Sequence, residues 1–159
     1  MDKIKLTHID ESGASRMVDV GEKGITERIA TAHATITMNR QTFSLIMDKK
    51  IAKGDVLEVA RVAGIMAAKR TSDLVPMCHP LNISSVKIDF KNNKLNSIEI
   101  LSEVKVSGKT GVEMEALTAV TICALTIYDM CKSADRSMTI SEVYLEKKSG
   151  GKSGLYRRE

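Results

Sequence analysis

Tryptophan is absent, and aromatic residues make up only 3% of the 159 positions, which removes the stacking platforms on which single-stranded nucleic acid is usually bound. Cysteine is scarce. Cys78, Cys123 and Cys131 form no CxxC pair, and an odd count suits a reducing compartment better than a disulfide framework. No window approaches the ~20 continuous apolar residues needed to span a bilayer. The N-terminal stretch also lacks the apolar core of a secretory signal. These absences point to a soluble cytoplasmic chain with neither a nucleic-acid nor a membrane partner.

What is present is enough apolar residue, 43%, to build the core of one domain spanning 1–159. The net charge of +4 is modest but uneven, with lysines at Lys49, Lys50 and Lys53, at Lys147, Lys148 and Lys152, and arginines at Arg157 and Arg158. Such clusters suit a phosphate-bearing partner, and with aromatics so few a small phosphorylated ligand explains them better than nucleic acid. For any single lysine, solvated surface charge is the competing reading.

Residues 1–24 show no firm period and read as an irregular arm. Between 30 and 38 the apolar residues fall on even positions, which predicts a half-buried strand with threonines and His33 on its other face. Residues 40–48 have helical spacing. Gly54-Asp55 opens a longer helix whose Leu57, Ala60, Gly64 and Ala67-Ala68 form a face of small residues fit for close packing. Both prolines, Pro76 and Pro80, fall within 71–82, which is expected to be a loop. Val86, Ile88 and Phe90 alternate as a strand, and 91–94 is a plausible hairpin turn into a partner strand carrying Ile98, Ile100, Ser102, Val104 and Val106 on one face. Glycines at 108 and 111 break that strand. A long helix is predicted over 112–134 and a last strand over 138–147. The tail, 148–159, looks too glycine-rich to pack and is expected to be flexible. The order β, α(α), β, β, α, β is the α+β, ferredoxin-like split βαβ pattern, an antiparallel sheet with helices packed on one face.

Reactive side chains gather where this regular structure stops. Lys53-Gly54-Asp55 precedes the second helix; there Asp55 reads equally well as an early-turn acid favoured by the helix dipole. Cys78-His79 is framed by two prolines. Adjacent residues of an extended segment point apart, and no second Cys/His cluster exists to complete a tetrahedral site, so no metal is expected. Thr110 and Glu113 fit a capping box, yet the same helix start, flanked by glycines and Lys109, offers amides to an anion. Asp129 and Lys132 are three apart on one helix face. They read either as a surface ion pair or as an acid–base pair with mutually adjusted pKa values. The tail fails the GxxxxGK[ST] phosphate-loop pattern, because Glu146 stands where its first glycine is required. Met114 and Asp129 lie 15 helical steps apart, roughly 22 Å at ~1.5 Å per residue. One small-molecule pocket cannot readily include both, so two functional ends either come from different subunits or form two sites; a site shared across an oligomer interface is expected.

The strings Met17-Val18-Asp19-Val20, Lys53-Gly54-Asp55-Val56-Leu57 and Pro76-Met77-Cys78-His79-Pro80-Leu81 resemble the cyclic pyranopterin monophosphate synthase family. So do Gly108-Lys109-Thr110-Gly111-Val112-Glu113-Met114-Glu115, Leu125-Thr126-Ile127-Tyr128-Asp129-Met130-Cys131-Lys132 and the tail Lys148-Ser149-Gly150-Gly151-Lys152-Ser153-Gly154. The resemblance runs in register through most of the chain. It implies a homohexamer, a trimer of dimers with active sites at the dimer interface, acting in molybdenum cofactor biosynthesis. The implied substrate is (8S)-3′,8-cyclo-7,8-dihydroguanosine 5′-triphosphate, converted to cyclic pyranopterin monophosphate with release of pyrophosphate, a lyase reaction. By position it implies Asp129 as the catalytic residue and Lys53 and Lys132 as its acid–base partners. Met77, Cys78, His79, Glu113 and Met114 are implied to line the substrate pocket, and Lys148 and Lys152 are expected to bind substrate phosphates. No cofactor is implied, although a Mg²⁺ could ride on the triphosphate. A non-catalytic ferredoxin-like module that senses a nucleotide is the alternative; it would need the lysines but not Asp129.

Overall fold

In the computed structural model, residues 8–10 and 12–159 are described. The part of the 1–24 arm at 1–7 and 11 therefore lies outside the described residues. The chain runs β1 (Thr26–Thr37), α1 (Arg40–Met47), α2 (Val56–Ala68), α3 (Thr71–Leu74), β2 (Ile83–Asn92), β3 (Ser97–Gly108), α4 (Glu113–Cys131), β4 (Thr139–Ser149) and β5 (Tyr156–Arg157). The five strands form one sheet in the order β2-β3-β1-β4-β5, every neighbouring pair antiparallel. Each helical crossover thus joins two parallel strands with one antiparallel strand between them, which is the split βαβ arrangement expected from the sequence.

Period-two patterning sets the core. Ala30, Ala32, Ala34 and Ile36 of β1 pair with Val104, Ser102, Ile100 and Ile98 of β3, and all eight are buried. Their side chains meet Ala116, Ala119, Val120, Cys123 and Ile127 of α4 in one apolar cluster. The lone hydroxyl in that layer, Ser102 Oγ, donates to the Ala116 carbonyl at 2.8 Å, so its burial leaves no unpaired group. α4 has the length and apolar composition of a membrane span. Here its apolarity is explained by packing on three strands and on α2.

The predicted small-residue face of α2 meets α4. A Cβ placed on Gly64 would lie 2.5 Å from Ile88 Cδ1 and 2.8 Å from the Ala119 carbonyl oxygen, so only glycine lets the two helices come this close. Asp55 is the α2 N-cap, its carboxylate accepting from the Glu58 amide at 3.3 Å and pairing with Lys49 at 2.8 Å.

Four local expectations are corrected. The first residues of the predicted 71–82 loop form α3, because the Thr71 hydroxyl donates to the Ala68 carbonyl at 3.0 Å and continues the chain off α2 in a helical turn. The hairpin turn falls at 93–96, not 91–94. Asn93 Oδ1 accepts from the amides of Leu95, Asn96 and Ser97, at 2.9 to 3.0 Å, and Lys94 takes the left-handed φ of 59°. The Thr110–Glu113 capping box does not form: α4 starts from Val112 with no side-chain cap, and the Glu113 carboxylate turns to Lys148 instead. The tail does not hang free, since Tyr156 and Arg157 pair with Lys148 and Lys147 of β4.

Gly64→Ala should lower stability by about 1 to 3 kcal/mol, the cost of forcing extra volume into a close-packed contact. Chemical denaturation reads this as a lower midpoint at constant slope.

Candidate active site

The residues singled out by sequence fall into two groups, one at each end of α4. At the N-terminal end is a cleft of about 450 Å³. Met77, Cys78 and His79 reach it from the segment that follows α3, Glu113 and Met114 from the first turn of α4, and Lys148 from β4. Lys148 Nζ donates to Glu113 Oε1 at 2.8 Å, tying β4 to the helix start. Lys152 is not in this cleft. It lines a neighbouring one of about 530 Å³ together with Lys23, Arg28 and Ser153. Three cations around one hollow, with hydroxyls beside them, suit a polyanion.

The glycines of the tail have a steric purpose beside Arg28. Gly151 (φ 72°) leaves no room for a Cβ against the Arg28 guanidinium, and Gly150 (φ 97°) none against the Glu27 carbonyl. Arg28 in turn donates from Nε to the Gly108 carbonyl at 3.0 Å and from Nη2 to that of Lys109 at 3.1 Å. One side chain therefore joins β1, the end of β3 and the tail.

Several ionisation states follow from the surroundings. Burial, aided by the nearby Glu115 carboxylate, raises the Cys78 pKa above its already high thiol value, so Cys78 is a neutral thiol and a poor nucleophile. His79 Nε2 lies 2.9 Å from the Val18 carbonyl oxygen. A carbonyl can only accept, so Nε2 carries the hydrogen of this bond. Glu115, 4% exposed, has its pKa raised by burial, with the neighbouring Glu113 adding to the shift.

The second group lies at the far end of α4. Lys132 Nζ donates to Asp129 Oδ1 at 2.6 Å, and Lys53 Nζ donates to the Asp129 backbone carbonyl at 3.0 Å while standing 3.7 Å from Oδ2. Gly54, at φ 104°, makes the turn that follows Lys53 and leads into α2. A carboxylate near a helix C-terminus opposes the helix dipole. Here the hydrogen bond from Lys132 first, then the charges of Lys132 and Lys53, hold Asp129 below the usual carboxylate range. It is an ionised carboxylate held between two lysines.

Sequence reasoning gathered six of its seven binding residues into one cleft, and set Lys53 beside Asp129 and Lys132. It missed Lys23, Arg28 and Glu115 as cleft-lining residues. Glu115 directly follows the expected contacts Glu113 and Met114, and nothing local marks Lys23 or Arg28 apart from other basic residues. Among the described residues no three His, Cys, Asp or Glu side chains converge as a metal ligand set.

Residues 17–151 match the model of the MoaC family. The chain is 60% identical over 155 residues to the cyclic pyranopterin monophosphate synthase of Heliobacterium modesticaldum, covering 97% of this chain and 98% of the relative. It is 60% identical over 156 residues to that of Peptoclostridium acidaminophilum, covering 98% and 99%. To cyclic pyranopterin monophosphate synthase 1 of Mycobacterium tuberculosis it is 54% identical over 155 residues, covering 98% and 91%.

The Glu115 environment has a measurable consequence. With a folded pKa above the ordinary value of about 4.3, its charged form costs stability as pH rises through that value, and the cost vanishes below about 4, where both states are protonated. Glu115→Gln should therefore melt higher than the parent at pH 7.5, and the two melting temperatures should converge near pH 4.

Proposed function

The chain belongs to the MoaC family and has cyclic pyranopterin monophosphate synthase activity in molybdenum cofactor biosynthesis; on that premise we propose that Asp129, with Lys53 and Lys132, is its acid–base centre. The observation that carries this reading is the Lys53–Asp129–Lys132 cluster, in which one carboxylate is kept ionised between two ammonium donors. The reaction opens a purine-derived ring and builds a pyranopterin, which needs several proton transfers. In our reading Asp129 takes protons from carbon- or nitrogen-bound positions and the two lysines return them. The substrate is (8S)-3′,8-cyclo-7,8-dihydroguanosine 5′-triphosphate. Its triphosphate lies in the basic hollow of Lys23, Arg28 and Lys152, with its base in the adjoining cleft beside His79 and Glu115. Closure of the cyclic phosphate forms a bond from a substrate hydroxyl oxygen to the α-phosphorus and breaks the bond to pyrophosphate, whose charge those three cations receive.

The cleft and the acid–base centre must then come from different subunits. Met114, Thr118, Thr121, Leu125, Asp129 and Lys132 recur at spacings of three and four along one line of α4. Leu125 on that line is 51% exposed, and α2, which packs on α4, presents Val59, Val62 and Met66, also exposed and also on one line. An apolar helix surface of this kind suits a second copy of the chain. Thr121 and Ile122 lie midway between Met114 and Asp129. A two-fold axis there lays the Met114 end of one α4 against Asp129 of the partner subunit. Such dimers, three to a hexamer, are the assembly we propose. Cytoplasmic placement accords with three cysteines that are all free. Family membership sets aside the nucleotide-sensing alternative.

Asp129→Ala should reduce kcat at least about a hundredfold with the fold intact, the usual scale of a lost general base. Unchanged turnover would remove Asp129 from the mechanism. Sharing of the site has its own test. Asp129→Ala and His79→Ala, each inactive alone, should regain about a quarter of the parental rate when unfolded and refolded as an equal mixture, because each mixed two-fold pair holds one intact site. No recovery on mixing would place the whole site within one chain.

A further inference from the structure

We propose that Lys109 is a positioning residue, which fixes Lys23 between the two clefts by holding the backbone of the N-terminal arm. Lys23 lines both the cleft at the start of α4 and the neighbouring basic hollow. The arm that carries it has little burial to keep it there: along 17–24 only Val18 and Val20 are half-buried, and the rest are exposed. Internally it is a compact turn, with the Gly21 amide donating to Asp19 Oδ1 at 2.7 Å and the Lys23 amide to the Val20 carbonyl at 3.1 Å. Such a turn keeps its shape but does not choose its place.

Among the described residues two hydrogen bonds attach this turn to the body of the protein. His79 Nε2 donates to the Val18 carbonyl at 2.9 Å, and Lys109 Nζ donates to the Gly21 carbonyl at 2.6 Å. The first lies five residues before Lys23, the second only two. Lys109 is itself well founded, because its carbonyl accepts from Arg28 Nη2 at 3.1 Å and that of Gly108 from Arg28 Nε at 3.0 Å. The placement therefore passes from the β1–β3 ladder through Arg28 and Lys109 to Gly21 and on to Lys23. Lys109, which flanks the helix start whose amides the sequence offered to an anion, is not among the residues lining either cleft; its side chain is committed to the Gly21 carbonyl.

The role assigned to Lys23 rests on the synthase reading above, whereas the anchoring of the arm does not, and two measurements separate them. Hydrogen–deuterium exchange without ligand should show faster exchange over 17–24 in Lys109→Met than in the parent, with β1, β3 and α4 unchanged, and recovery in Lys109→Arg. In turnover of the cyclic guanosine triphosphate intermediate, Lys109→Met should raise KM about tenfold, the worth of one charge-assisted hydrogen bond, with kcat within about twofold of the parent. In a Lys23→Ala background the same substitution should add nothing to KM, because the two residues act in series. Unchanged exchange over 17–24 would overturn the anchoring, and independent, additive effects of the two substitutions on KM would overturn the placement of Lys23 through Lys109. Absence of turnover in the parent would fail the synthase reading instead, leaving the exchange result to decide the anchoring.

Discussion

The architecture depends on how closely α4 lies against its neighbours. Ala30, Ala32 and Ala34 of β1 share one core cluster with Ala116, Ala119 and Ala124 of the helix, and Gly64 of α2 meets the helix at Ala119 and Cys123. Small side chains give up hydrophobic area per residue but allow backbones to approach, and dense packing then resists any tilt or slide. A helix held in this way is a rigid rod of 19 residues. Its two ends cannot be adjusted independently, and those ends are where the reactive side chains stand.

The two acids on that rod have opposite surroundings. Asp129 is drawn down by Lys132 and Lys53, and Glu115 is pushed up by burial. One helix thus carries two carboxylates whose protonation behaviours are pushed apart by their surroundings. Because a two-fold axis would bring the start of one α4 to the end of another, both kinds of acid would meet in one pocket although neither end of a single helix can supply both.

Most of the fold was legible because its signals are periodic. The even-numbered apolar residues of β1 and β3, and the small-residue face of α2, are burial patterns that any register must respect. The departures are places where one side chain decides between near-equal options. Asn93 captures three amides and moves the hairpin turn by two residues. Glu113 could cap its own helix, but Lys148, 35 positions along the chain, offers it a charged partner. β5 forms because β4 leaves free backbone groups next to it, and composition alone suggested a loose tail. For the site, spacing along α4 foresaw the separation of its two groups. Lys23 and Arg28 escaped notice because only tertiary structure distinguishes a cation aimed at a hollow from one in solvent.

The sheet also determines where other chains can attach. A row of unpaired strand amides is an open template for further strands, and proteins that must avoid indiscriminate stacking obstruct it. On one margin, β2 carries Lys87, Asp89 and Lys91. On the other, β5 caps Lys147 and Lys148, and a bulge at Glu142, with φ of 52°, bends the remainder of β4 out of line. With both margins obstructed, growth by strand addition is discouraged in either direction. Such obstruction disfavours open-ended fibres, and the helix pairing proposed above would instead give closed, countable complexes.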